Sequence, residues 1–467
     1  MSLWINGEWL DTEDKIAVTN KFTGEKLADV SVAGRAHIRQ AVAAAQKAMK
    51  YHPLSTEARY SILAQVSKRL LERQDELGLQ MAREAGKPFK EAKTEVTRAA
   101  RTFLVAAEEA KRIHGEIVPI ASDQPIGKFA YTLRLPIGVV CAISPFNFPM
   151  NLVAHKIAPA LAAGNAFVLK PASYTPLSAI SLMKLLAEAG LPNGYGNLVI
   201  GSGSTVGEWL LEEEDFAFYS FTGSPSVGKR IRAAVGLRPT TLELGSNSAT
   251  VVHSDADLRH AAMRCARTAF NNAGQICISV QRIYVQASVA ERFLAHLIGE
   301  TKALRVGDPT DPATDVGPMI SEAEAIRAGE WVQEAIDNGA KLLYGGTRQG
   351  AVFTPTILTN VAVSCRICSE EAFAPLVMVS TYETIDEAIE LVNASKYGLQ
   401  GGLFTNSLDV MMKCAREIQV GGLMVNETSS FRADEMPYGG VKESGVGREG
   451  PRYAIEEMTE VKLVVVH

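Results

Sequence analysis

Gly164-Asn-Ala-Phe-Val-Leu-Lys170-Pro-Ala-Ser173 opens the run that decides the fold. An apolar strand ends there in a lysine and a proline. A helical stretch (Pro176 to Glu188), an extended one (Gly196 to Gly201), a second helical stretch (about Ser204 to Glu212) and another strand (Ala217 to Phe221) follow. Such alternation predicts a parallel sheet wrapped by helices. Ligands of these sheets sit at the carboxyl ends of strands, where Lys170, Gly203 and Gly223 fall. The Gly-x-Gly-x-x-Gly expected in such a unit is missing from this run. In its place stands Phe221-Thr-Gly223-Ser224-Pro-Ser-Val227-Gly228, opening a helix whose first N–H groups can face a pyrophosphate.

Upstream, Asn6-Gly7 and Thr19-Asn-Lys-Phe-Thr-Gly-Glu mark hairpins. Residues 33 to 114 carry apolar residues at helical spacing, interrupted at Gly86-Lys-Pro. Arg98 and Arg101 lie on a helix running to His114 and can project toward a substrate, although helical arginines are commonly just solvated. Lys128-Phe-Ala-Tyr-Thr-Leu-Arg-Leu-Pro reads as an extended arm with an unpaired edge, seeking either another subunit or an edge of its own chain. A buried strand, Ile137 to Ile143, leads into Ser144-Pro-Phe-Asn147-Phe-Pro149, a rigid turn that presents an amide.

Downstream stand Glu243-Leu-Gly245-Ser-Asn and, past a helix over Leu258 to Asn271, Gly274-Gln-Ile-Cys277. A thiol behind a Gly-Gln turn, with a carboxylate on a separate element, suits a two-step reaction: thiolate attack on a carbonyl, then base-activated water. The competing reading is a small buried hydrophobe. Strand and helix alternation resumes from Thr250 through Asn393, indicating a second α/β unit.

The 467-residue length implies more than one domain, since single cores stop growing at roughly 250–300 residues. A net charge of −5 offers no basic stripe for nucleic acid. No apolar run is long enough to span a bilayer and no export signal is evident, so a cytoplasmic protein is expected. Six cysteines fit a reducing compartment. Cys365-Arg-Ile-Cys368 lacks a second ligand pair, and no metal is expected.

Taken together, Ser144-Pro-Phe-Asn147-Phe-Pro, Phe221-Thr-Gly223-Ser, Glu243-Leu-Gly-Ser-Asn, Gly274-Gln-Ile-Cys277 and Glu370-Glu371-Ala-Phe373-Ala-Pro resemble, in order and spacing, the aldehyde dehydrogenase superfamily. The resemblance runs from Trp4 to Val466. Within that family the chain looks most like lactaldehyde and non-phosphorylating glyceraldehyde-3-phosphate dehydrogenases. It implies an α/β fold with a Rossmann-like cofactor domain (1–117 and 139–245), an α/β catalytic domain (246–448) and a β-arm (118–138 and 449–467) building dimers or tetramers.

The implied activity is NAD(P)-dependent oxidation of a small hydroxylated or anionic aldehyde to its acid through a cysteine thiohemiacetal and thioester. A CoA-acylating semialdehyde dehydrogenase is the alternative, opposed by the presence of Glu243. Cys277 is the implied nucleophile, Glu243 the base and Asn147 the oxyanion donor. Cofactor contacts are implied for Ile143, Ser144, Pro145, Phe146, Lys170, Ala172, Ser173, Gly203, Gly207, Phe221, Thr222, Gly223, Ser224, Val227, Leu244, Gly245, Glu371 and Phe373. Ser173 stands where many NAD-preferring relatives carry glutamate, which favours NADP with NAD as the alternative; its competing role is to cap the next turn.

Substrate contacts are implied for Arg101, Phe148, Ile276, Ile278 and Arg432. Arg432 has two readings, an anion clamp or a bond to Asp434 or Glu435. Ile276 stands where glyceraldehyde-3-phosphate-oxidising relatives tend to carry arginine, which argues against a phosphorylated substrate. Ala374 replaces the family's glycine and leaves less room for a backbone approach.

Overall fold

Five parallel strands form the centre of the first sheet in the spatial order Gly196–Leu198, Phe167–Lys170, Val140–Ile143, Phe218–Thr222, Thr240–Glu243. In this computed structural model, which describes residues 1–120 and 128–466, the chain thus winds outward in one direction from Val140–Ile143, then returns to its other side. The strand residues are almost all buried, as expected for parallel strands covered on both faces. The helix Asn151–Ala163 is buried along its whole length, and Pro176–Glu188 and Pro225–Ala234 complete the wrapping.

Antiparallel additions close both edges. The hairpin Leu3–Ile5/Glu8–Leu10 turns at Asn6-Gly7, both at positive φ, and joins at Leu198. At the other edge Gly445–Val446 pairs with Leu242 and Glu243. The sequence had suggested no link from so late in the chain to this sheet.

A second sheet runs Lys341–Tyr344, Thr356–Thr359, Leu376–Tyr382, Arg282–Gln286, Ala249–Val252, Gln400–Phe404, Gly422–Val425, parallel except at its first strand. It has its own apolar core. Both expected α/β units are present, and no helix among the described residues is long and apolar enough to cross a membrane.

The arm strand Phe129–Pro136 pairs along its length with Thr459–Val466 of the same chain and also with Ile117–Val118. An intramolecular partner therefore takes one edge, and Thr459–Val466 forms the rim of this small sheet. Val461, Leu463 and Val465 are exposed on one face, and Phe129, Leu133, Leu135 and Val466 on the other. The helix Pro451–Glu457 does not belong to the arm's sheet; it packs on Asn151–Ala163.

Candidate active site

Where the first sheet reverses its winding, the loops after Val140–Ile143 and Phe218–Thr222 diverge and leave a crevice. Its outer part is a cavity of about 770 Å³ walled by Ile143, Ser144, Lys170, Ser173, Gly203, Gly207, Phe221 and Val227. Phe146, Ala172 and Thr222 border both this space and a second, of about 410 Å³, walled further by Pro145, Gly223, Ser224, Leu244, Gly245, Glu371 and Phe373. Every residue expected to contact a cofactor thus lies on one continuous crevice. It ends on Cys277. Beyond Cys277 a third cavity, of about 280 Å³, is lined by Phe148, Leu152, Ile276, Ile278, Arg98, Glu91, Arg432 and Tyr438.

The crevice is shaped for backbone approach and for anions. A Cβ on Gly245 would come within 2.5 Å of the Glu371 carboxylate as it stands, bonded to the Ser246 N–H at 3.0 Å, so a larger residue there would push that carboxylate aside. The helix Pro225–Ala234 has Ser224 as its N-cap with no side-chain bond, leaving its first N–H groups facing the crevice. Ser144 Oγ is buried without a partner among the described residues. Among the described residues the Lys170 ammonium reaches only the Pro171 carbonyl, at 3.4 Å, and burial brings its pKa down to about 8. The Ser173 hydroxyl donates to the Gly201 carbonyl at 2.7 Å. A dinucleotide's phosphates and ribose would meet these polar groups. The residues fit such a cofactor.

Cys277 is delivered by the helix Leu258–Phe270, which Asp257 caps through the N–H groups of Arg259 and His260. The chain then takes three left-handed residues in succession, Asn272, Ala273 and Gly274, with φ of 48°, 54° and 70°. A Cβ on Gly274 would lie 2.0 Å from the Ala374 carbonyl oxygen, so the approach that the alanine was expected to crowd is made from the Gly274 side. Gln275 locks the turn: its side chain accepts from Ile320 N at 2.9 Å and donates to the Asn272 carbonyl at 3.1 Å. Its own carbonyl accepts from Asn147 Nδ2 at 2.8 Å, which fixes that amide beside the cysteine while Oδ1 has no partner among the described residues.

The sulfur lies 3.0 Å from the Tyr438 hydroxyl. Burial pushes the thiol pKa up to about 12 against that hydrogen bond, and Glu371 and Glu243 add to the rise while Arg432 opposes it. Glu243, at the end of its strand, is buried with neither carboxylate oxygen paired among the described residues, and its Oε1 would lie 2.9 Å from a Cβ at Gly439. Burial, then the nearby Glu449 charge, raises its proton affinity well above the usual carboxylate range. Glu243 is charge-coupled to Cys277 although it does not line the cavities.

Behind the site lies a buried ionic cluster. Glu449 accepts from Lys156 at 3.0 Å and from Arg432 at 3.0 Å, and Lys156 also donates to Thr222 Oγ1 at 2.6 Å. Burial alone would raise the Glu449 pKa, but the Lys156 and Arg432 cations overcome it and bring it to about 2. Asp434 accepts from Arg98 at 2.9 Å, Asn151 at 3.0 Å and His155 at 3.0 Å. Neither expected partner of Arg432 is used: Glu435 bonds Arg101 and Asp434 bonds Arg98. Arg432 instead bonds Glu449 and lies over the Tyr438 ring, its guanidinium carbon 3.7 Å from the centroid, with Nε lacking a partner among the described residues.

Arg101 departs from its expected place. It is solvent-exposed, paired with Glu435 and absent from the cavity walls, where Arg98 stands instead. Tyr438 and Glu91 had not been singled out. Neither carries a local signal: Tyr438 is brought to Cys277 by a loop far along the chain, and Glu91 holds Asn272 N at 3.0 Å from the first turn of another helix.

A family model described as aldehyde dehydrogenase family matches residues 9–464. The chain is 52% identical over 466 residues to a 3-sulfolactaldehyde dehydrogenase of Priestia aryabhattai, covering 100% of this chain and 98% of the relative. It is 38% identical over 470 residues to a lactaldehyde dehydrogenase of Methanococcus maripaludis strain S2, covering 100% of both. Among solved structures, a glyceraldehyde-3-phosphate dehydrogenase, GapN, from Methanocaldococcus jannaschii complexed with NADP is similar, with a TM-score of 0.94 and 39% identity over 98% of this chain and 100% of that one.

Proposed function

The chain belongs to the aldehyde dehydrogenase family, and from that premise we propose that it oxidises a short hydroxyaldehyde bearing an anionic group, 3-sulfolactaldehyde or a close analogue, to the carboxylic acid. The observation that carries this reading is the position of Cys277 between a small cavity containing two arginines and the end of the dinucleotide-shaped crevice. Sulfolactaldehyde and lactaldehyde are the substrates named for relatives that match the chain along its whole length.

Cys277, as thiolate, attacks the aldehyde carbon. The Asn147 amide, held by the Gln275 carbonyl, and the Cys277 backbone N–H stabilise the resulting oxyanion, preorganised donors of this kind being worth about 3–4 kcal/mol. Lys170, Gly223, Gly245, Glu371 and Phe373 would hold an oxidised nicotinamide dinucleotide in the crevice, and when bound it would supply the acceptor for the hydride that leaves the carbon attached to Cys277. Glu243, deprotonated, activates the water that cleaves the thioester and frees the acid. Arg98 and Arg432 hold the substrate's anion, and Arg432 Nε, which has no partner among the described residues, is a donor for it. The apolar Ile276 beside the nucleophile suits a smaller anion than a phosphate ester.

NADP is the preferred cofactor in this reading. Lys170 and Ser173 lie at the crevice's outer end with no carboxylate at residue 173 to repel a 2′-phosphate, while Arg230, on the same wall, is paired there with Glu208 at 2.6 Å. Residues 1–117 and 139–245 serve as the dinucleotide-binding part and 246–448 as the catalytic part. Residues 118–138 and 449–467, apart from the helix Pro451–Glu457, supply the arm that pairs copies into dimers or tetramers.

The test is a panel of 3-sulfolactaldehyde, lactaldehyde, succinate semialdehyde, glyceraldehyde 3-phosphate and phosphonoacetaldehyde, each with NAD and NADP, with and without CoA. The expected result is highest kcat/KM for 3-sulfolactaldehyde with NADP, acid as product and no dependence on CoA. Full turnover by Cys277→Ser would sink the mechanism, and a preference for an uncharged aldehyde would sink the anion.

A further inference from the structure

We propose that Tyr438 is a catalytic residue of this chain: its phenol donates a hydrogen bond to the Cys277 sulfur, and the Arg432 guanidinium stacked on its ring strengthens that donation and so favours the thiolate. The inference rests on Cys277 being the nucleophile, and it assigns a resident protein group to the task of holding the sulfur's charge.

The geometry is closed on every side. Tyr438 is buried, and its hydroxyl has a single polar partner among the described residues, the sulfur at 3.0 Å. A buried phenol O–H ordinarily finds an acceptor, and a sulfur that becomes anionic is a stronger acceptor than a neutral thiol. The bond therefore tightens on ionisation and draws the equilibrium toward the thiolate. At equilibrium with buffer the thiol proton goes to solvent, while Tyr438 keeps its own. Arg432, 3.7 Å from the ring centroid, makes a cation–π contact that withdraws electron density from the phenol oxygen.

The ring has little freedom to leave. Tyr438 and Glu449 exchange backbone hydrogen bonds of 3.0 and 2.7 Å, and the Glu449 carboxylate holds the Arg432 guanidinium that covers the ring. Of the influences on the thiol, the Tyr438 bond and the Arg432 charge are the two that favour ionisation, against burial, Glu371 and Glu243.

The experiment is the pH dependence of Cys277 alkylation by iodoacetamide in the full chain without substrate or cofactor, read by mass spectrometry of the Cys277 peptide. Tyr438→Phe should raise the alkylation midpoint by about one pH unit and slow labelling below the midpoint about tenfold, with thermal melting reporting that the fold is kept. Arg432→Gln should move the midpoint the same way by less, and it decides the matter should the first variant not fold. A Cys277 that labels with the wild-type midpoint in the variants overturns the proposal and leaves the nucleophile reading intact. A wild-type Cys277 that resists alkylation at every pH overturns both.

Discussion

Glu243 and Glu449 are buried carboxyls held in opposite states by their neighbours. Among the described residues no cation is bonded to Glu243, and burial and the Glu449 charge hold its proton affinity well above that of an ordinary carboxylate, so it serves as a base only at higher pH. We expect kcat to fall on the acid side through a midpoint above 4.5, measured as a steady-state pH profile. Glu449→Gln removes an anion that raises Glu243, so that midpoint should move to lower pH. Glu243→Gln should lose about 10²–10⁴-fold in steady-state rate yet still release a burst of one reduced cofactor per site, because attack on the aldehyde does not require the base. Glu449 itself has a folded pKa of about 2 against 4.5 unfolded. Its stabilisation is full above 4.5 and is lost as pH falls from there toward 2. Glu449→Gln should flatten that acid loss in thermal melts while costing about 3–5 kcal/mol at neutral pH, since Lys156 and Arg432 are left buried without their counter-ion.

The decisive element is the left-handed turn before the nucleophile. Gly274→Ala adds a Cβ against the Ala374 carbonyl at a φ of 70°. The conformation alone costs roughly 1–2 kcal/mol, and displacement of Cys277 should lower kcat on the order of 10²-fold, with KM for the cofactor changed less. Regular elements were legible in the sequence because their cause is local: Pro176–Glu188 has the expected ends, with a proline opening its first turn. The helix expected over Arg98 to His114 instead begins at Phe89, just after Gly86-Lys-Pro, and ends at Ala110. The motif residues that meet at Cys277 were also legible, each carried by a turn of distinctive composition. Tyr438, Glu91 and the Arg432–Glu449 pairing were not, because a contact between distant loops leaves no periodicity in either. Arg101 was chosen over Arg98 for the same reason: three residues apart on one helix, they differ only in which neighbour the helix faces.

At the scale of the molecule, the arm ends in a strand with apolar side chains on both faces and no partner on its outer edge among the described residues. Such a surface suits pairing with a second copy. Leu463→Asp should shift the protein toward smaller species in light scattering and make its melting temperature more dependent on concentration. The site has a different dependence on the whole chain, since Gly445–Val446 closes the sheet beside Glu243, and Tyr438 and Glu449 flank that same stretch. During synthesis, the sulfur, the amide and the base all emerge from the ribosome well before the segment that ionises the first and walls in the last. A nascent chain stopped at residue 430 would therefore contain the three expected chemical groups and be inert, so the reactive thiol stays unarmed until the tail has been threaded home.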